Sequence, residues 1–328
     1  MRCMKWFLVL FIMMFVVSFA HAQSESLEQI KLTCFAQTRF DASFGEGAEG
    51  DTELLADQFR ISRVRIRANG KLVKTLSFFV QLDAASNPAL KDARLRVACP
   101  KLPLTFEMGR FLPIFGVEGG VNPYWLPAVD YSLVVPKMFP GLWDVGAKVY
   151  GKTPVNEQVG LNYAVAVVNG NGSYSDNNKK KDFVGRIGVT LPAGVAAGGS
   201  FYIGKAAPLD SVGDDVDKNR FGADVKVVNG PILLQAEGIL GKNDETDAMG
   251  LYVLGAYKVT PKVQAVGRFD MLDPDTDGED LSTSRIRVGG NCFIAGNNQV
   301  QIFYELSNLP GDTTGHKIIV QLAMIFEK

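Results

Sequence analysis

The chain has 328 residues, 34 basic against 35 acidic side chains, a formal net charge of −1 and 47% hydrophobic residues. A balance this even, with the basic residues scattered along the chain, excludes an electrostatic nucleic-acid binder. Beyond the N-terminus no stretch is apolar enough for a membrane helix, so the remaining apolar content is dispersed through short segments.

The N-terminus has the form of an export signal. Arg2 and Lys5 precede an apolar run from Trp6 to Phe19, and Ala20, His21 and Ala22 form an A-x-A cleavage site. A membrane anchor is the rival reading, but the run is shorter than the roughly 20 residues a helical span needs. Residues 1–22 are therefore read as a cleaved signal and 23–328 as one domain, with the mature chain beginning at Gln23. The mature chain keeps Cys34, Cys99 and Cys292, an odd and widely spaced set. They read as isolated thiols, with oxidation of one pair after export left open.

Sixteen segments of period-two alternation follow. Strand one is expected over Ile30–Arg39, with a Gly/Asp/Glu-rich loop from Asp41 to Asp57 behind it. Strand two, Phe59–Ala68, is expected to turn at Asn69-Gly70, a strong hairpin signal. In strand three Val80 and Leu82 alternate with Gln81 and Asp83, and in strand four Ala93, Leu95 and Val97 alternate with Asp92, Arg94 and Arg96. Strand five, Leu104–Arg110, precedes the longest connection, Phe111 to Pro140. Strands six to eleven are expected over Trp143–Tyr150, Gly160–Asn169, Phe183–Leu191, Ala197–Lys205, Arg220–Val228 and Ile232–Leu240. Tyr252–Val259, Val263–Met271, Arg285–Ile294, Gln299–Ser307 and Lys317–Phe326 complete the set. Tight turns alternate with longer loops such as Asp273 to Ser284 and Asn308 to Gly315.

That alternation of short and long connections is the pattern of a barrel threaded through an outer membrane. The expected fold is all-β: a 16-stranded antiparallel transmembrane β-barrel of the bacterial outer membrane with a long third external loop. Sixteen strands leave an aqueous channel, and Phe111 to Pro140 has enough chain to fold inward or to cap the mouth.

Arg63, Arg65 and Arg67 share one parity of strand two; Arg94 and Arg96 do so in strand four, Arg285 and Arg287 in strand fourteen. A guanidinium facing lipid costs about 2–4 kcal/mol at the membrane midplane, so these arginines are expected to face the lumen. There they either offer a passing anion a file of weak sites or pair with carboxylates such as Asp83, Asp92, Glu107, Asp224, Glu237 and Glu305. Arg110, at the root of the long loop, and Lys137, near its other end, complete the candidate anion path. Glu118 and Asp130 are the candidate acids of a constriction.

Several runs resemble the phosphate-selective porin O/P family. They are Glu107-Met108-Gly109-Arg110-Phe111-Leu112-Pro113-Ile114-Phe115-Gly116-Val117-Glu118, the Arg-rich Phe59 to Arg65, Asn169 to Gly172 with Asp182 to Arg186, and Arg268-Phe269-Asp270 with Asp273-Pro274-Asp275. In order, they span almost the whole mature chain. The resemblance implies a trimeric diffusion channel passing phosphate or similar small anions. Two features depart from it. Outer-membrane barrels commonly end in an aromatic residue, whereas Phe326 is followed by Glu327 and Lys328. The long loop, where phosphate selectivity needs clustered cations, carries only Lys137 against Glu118 and Asp130.

Other chemistry finds little support. Asp273, Asp275, Asp277 and Gly278 imitate the start of a calcium loop, but Ser284 stands where a bidentate Glu belongs. The single mature histidine, His316, falls in an expected external loop, and no G-x-S-x-G or P-loop occurs. No enzyme, metal or cofactor is expected. The sequence thus points to a porin for small anions and other small solutes, embedded in outer-membrane lipid as a homotrimer; the alternative is a plugged structural or surface-binding barrel.

Overall fold

The computed structural model describes residues 30–46, 52–112, 114–139, 142–172, 174–207, 215–278, 281–311 and 313–327. The expected signal peptide and the start at Gln23 lie outside them. Sixteen strands form one closed antiparallel barrel in which β1 (Lys31–Glu46) and β16 (Thr313–Glu327) pair to shut the wall. Between them run β2 (Thr52–Val73), β3 (Leu76–Asp83), β4 (Leu90–Ala98), β5 (Leu104–Phe111), β6 (Asp144–Pro154), β7 (Gly160–Val168) and β8 (Asp182–Thr190). Then follow β9 (Val195–Ala206), β10 (Val216–Asn229), β11 (Ile232–Asn243), β12 (Thr246–Thr260), β13 (Val263–Asp273), β14 (Thr283–Ala295) and β15 (Asn298–Leu309). Every strand bonds its sequence neighbours, so no backbone edge is left to lipid.

Alternation places the side chains as the sequence implies. On β16 Ile318, Val320, Leu322 and Met324 are exposed on the outer wall, whereas Ile319, Gln321 and Ala323 are buried inside. On β3 Val80 and Leu82 face out and Gln81 and Asp83 face in. Inside, polar groups satisfy one another: Gln321 donates to Gln301, Gln301 to Asn291, and Asn291 to Gln264. Such a connected chain offsets part of the penalty of burying amides in the wall, although the Gln321 Oε1 is buried without a hydrogen bond.

The strands differ from the sequence reading in three places. The expected turn at Asn69-Gly70 is ladder: Asn69 pairs with Lys31 on one side and Phe79 on the other, Gly70 pairs with Phe78, and the chain turns at Lys74 and Thr75. An Asn-Gly signal acts through positive φ at both residues, and ladder pairing holds these two in extended backbone instead. Much of the expected loop from Asp41 to Asp57 is strand, because β1 and β2 stay paired through Phe40 with Phe59 and Ala42 with Asp57. Backbone pairing continues there although alternation has faded. His316 lies within β16, bonded to Tyr304, and not in a loop.

Wall height is uneven. Strands β3, β4 and β5 hold 8, 9 and 8 residues, while β1 holds 16 and β2 holds 22. A bulge at Ser62 shifts the register between β1 and β2. It lets Arg60 and Arg63, three residues apart, both reach the inner side.

Candidate functional site

The chain between Phe111 and Asp144 enters the barrel. It contains a single 3₁₀ turn at Pro123–Trp125, capped by the Asn122 side chain, and a short helix α1 (Val134–Met138). Phe115, Val134, Met138 and Phe139 pack against inner residues of β7 to β13, among them Val168, Tyr202, Ile239 and Leu272. Ala128 and Val129 pack against Tyr252, Leu254, Phe303 and Ile319. Tyr124 packs on Phe35 and Ala323 and donates its hydroxyl hydrogen to the Asn297 carbonyl at 2.7 Å. Asn297 belongs to the β14–β15 turn, at the opposite rim from the one where the loop leaves β5. Through the Tyr124 side chain the loop therefore reaches a turn at the opposite rim.

Polar contacts fix it along one half of the wall. Arg268 donates to the Asp130 carbonyl at 2.7 Å and the Tyr131 carbonyl at 3.0 Å; Arg287 donates to the Ala128 carbonyl at 2.8 Å and Asn291 to that of Pro127 at 3.0 Å. The Asp130 carboxylate accepts from Arg39 at 2.6 Å and Arg63 at 3.0 Å. Burial works to raise the Asp130 carboxyl, but Arg63, Arg39 and Arg287 outweigh it and hold the group well below the usual carboxylate range.

A second fastening lies nearer the loop's start. Val117 and Glu118 donate backbone N–H groups to one oxygen of Glu237, at 3.1 and 3.2 Å, and Gly116 donates to Ser200. Gly116 adopts φ +65°, and a β-carbon there would overlap the Glu237 carboxylate, so any other residue is strained and must displace that carboxylate. Glu118 accepts from the Ser132 N–H at 2.8 Å and lies 3.8 Å from Arg268. Burial pushes the Glu118 carboxyl up, and Arg268 offsets only part of that.

The other half of the interior stays open. A cavity of about 780 Å³ separates the loop residues Leu112, Ile114, Gly116 and Gly120 from β4 to β8. Its wall carries Arg94, Arg96, Lys148, Lys152 and Arg186, with Glu107 among them. Glu107 is shared by three cations: Arg94 at 3.2 Å, Lys148 at 2.8 Å, and Arg96. Arg186 pairs with Asp224, and Lys152 is exposed with no carboxylate partner among the described residues. Aromatic rings support the cations. Arg94 lies 4.5 Å and Arg96 5.6 Å from the Phe79 ring centre, and Lys148 lies 4.1 Å from that of Phe111 and 5.6 Å from that of Tyr150.

The residues singled out from the sequence thus divide. Arg65 pairs with Asp83 at 2.7 Å, Arg67 donates to Gln81 at 2.6 Å, Arg285 pairs with Asp270 at 2.6 Å, and Arg287 pairs with Glu305. Arg63 holds the loop, and of the selected arginines Arg94 and Arg96 line the open cavity. Of the expected carboxylate partners, Glu237 binds backbone N–H groups and, among the described residues, no cation. Arg110 stands apart: it pairs across the ladder with Ala93, on the parity opposite to Arg94. Its guanidinium donates to the Gly172 carbonyl at 3.0 Å and lies over Tyr174. Lys137 is exposed on α1.

Arg39, Asn291, Lys148 and Lys152 were absent from the sequence selection, and Arg186 and Arg268 entered it only within the runs that resemble the porin O/P family. Lys148, Tyr150 and Lys152 share one parity of β6, which was a readable signal. The roles of Arg39 and Arg268 depend on contacts 91 and 138 residues away and left none. Among the described residues the cysteines are free thiols, and no group of three or more His, Cys, Asp or Glu is arranged to hold a metal ion.

No family model matches the chain, and no curated protein matches it. Solved structures do. OmpF of Salmonella typhi, in a complex with daunomycin, superposes with a TM-score of 0.65 at 13% identity, covering 92% of this chain and 100% of that one. An anion-selective porin from Comamonas acidovorans gives 0.62 at 12% identity over 90% and 99%. The trimer form of OmpT, an outer membrane protein of Vibrio cholerae, gives 0.59 at 14% identity over 90% and 100%. The fold is that of outer-membrane porin barrels.

Proposed function

We propose that this chain is a passive diffusion channel of the bacterial outer membrane, with a preference for small anions. The observation that carries the reading is the open cavity beside the loop, where Arg94, Arg96 and Lys148 share Glu107, Arg94 also pairs with Asp92 at 3.3 Å, and Lys152 adds a fourth cation against these two acids. Surplus fixed charge of one sign on a pore wall raises the local concentration of counter-ions and lowers their barrier to entry. The fold likeness to porins supports a channel, and the motif resemblance to the phosphate-selective porin O/P family supports an oxyanion among its solutes. Exposed aliphatic side chains on β14 to β16 suit contact with lipid and with neighbouring subunits, and the trimeric likeness supports a homotrimer.

The zero-current potential of the purified protein in a planar bilayer under a potassium chloride gradient tests this. Conductance steps with an anion-selective potential are expected; a cation-selective potential overturns the anion preference and leaves the channel. A plugged barrel is the second reading, favoured by the loop's packing across the lumen. It requires that sugars fail to enter liposomes carrying the protein.

A further inference from the structure

The open cavity is two-faced. Its cations belong to β4, β6 and β8, while the surface opposite is the loop's Leu112 and Ile114, two aliphatic side chains flanked by Gly116 and Gly120. On the cationic side itself the Tyr150 ring lines the cavity, 5.6 Å from Lys148, while Arg94 and Arg96 lie against the ring of Phe79, which is outside the lining. A strongly hydrated inorganic oxyanion uses only the charges of such a passage. It gains nothing from the alkyl and aryl surface and must shed water to reach the guanidinium planes.

From this geometry we infer that the preferred solutes are small organic carboxylates with an apolar body, benzoate-like or short-chain alkyl acids, and not phosphate. The inference rests on the pore reading above and deepens it. The carboxylate engages the Arg94 and Arg96 forks, which suit two parallel charge-assisted hydrogen bonds. The body lies against Leu112 and Ile114, where apolar surface leaves water as the solute passes. Several weak contacts in series let the solute enter without trapping it.

The test is the block of single-channel chloride current in planar bilayers by added benzoate, hexanoate or phosphate. Benzoate and hexanoate are expected to halve the current at a concentration about tenfold below that of phosphate, which corresponds to about 1.4 kcal/mol. The double variant Leu112→Ser, Ile114→Ser is expected to bring the three concentrations together. Tyr150→Leu, which removes a ring lining the cavity and keeps an apolar side chain to guard against misfolding, is expected to reduce the benzoate advantage more than the hexanoate advantage. Phosphate blocking at or below the benzoate concentration overturns the inference and leaves the channel intact. No conductance steps at all overturns the channel reading, and this inference with it.

Discussion

The two halves of the lumen use the same residue types for opposite ends. Along β13, β14, β1 and β2, arginines are spent on the loop: Arg268 and Arg287 grip backbone carbonyls, and Arg39 and Arg63 grip Asp130. Along β4 to β8 the cations outnumber their acids and face open space. An arginine on an inner wall is therefore structural or functional according to what stands across from it. Where the loop approaches, Arg39, Arg268 and Arg287 are buried and paired; where the loop is held away, the cations outnumber the carboxylates that face them.

If that division is right, the largest effect belongs to Arg268→Met. Its side chain is fully buried against Asp270 and two loop carbonyls. Removing one partner of a buried ion pair costs about 3–5 kcal/mol. The variant is expected to lower the thermal midpoint of the barrel and to raise single-channel conductance as the loop swings free. Unchanged conductance would mean that the loop is held by its apolar contacts alone.

On the open side the expected effect is on selectivity. Glu107→Gln removes the one carboxylate that three cations share. A charge about 4 Å from a passing ion in a water-like medium is worth about 1 kcal/mol, in opposite senses for anion and cation, so the anion-to-cation permeability ratio should rise roughly thirtyfold. Lys152→Glu, at an exposed and screened position, should lower the ratio by less. Equal ratios in wild type and Glu107→Gln would show that ions do not pass this way.

How much of this division was legible beforehand follows from the range of the forces involved. Alternation on β3 and β16 marked the inner and outer faces directly, because one residue of slip would put Gln81 or Gln321 into lipid. The Asn69-Gly70 signal misled, since a local turn preference yields to ladder pairing. Arg110 sits off the open cavity for a related reason. It pairs with Ala93 within the unbroken β5 ladder, and a count of parity from Glu107 puts it on the other side from Arg94. Which arginines meet the loop could not be read at all. The loop's course is set by scattered apolar contacts with strands from β7 to β16, and no periodicity records them.

The smallest expected effect separates the two loop acids by pH. Asp130, held below its unfolded value, contributes stability that is present above the unfolded pKa and is lost as pH falls through the folded one. Glu118, pushed above its unfolded value, behaves in the opposite sense: its contribution is complete below the unfolded pKa and is lost as pH rises through the folded one. Glu118→Gln keeps an oxygen for the Ser132 N–H and removes the titration. Wild type and variant should therefore diverge as pH rises from about 4, the unfolded value of a glutamate, with the variant favoured at neutral pH. Protease cleavage of the loop, followed across that range, reads the difference. Divergence in the other direction would mean that Arg268, 3.8 Å away, and not burial governs Glu118.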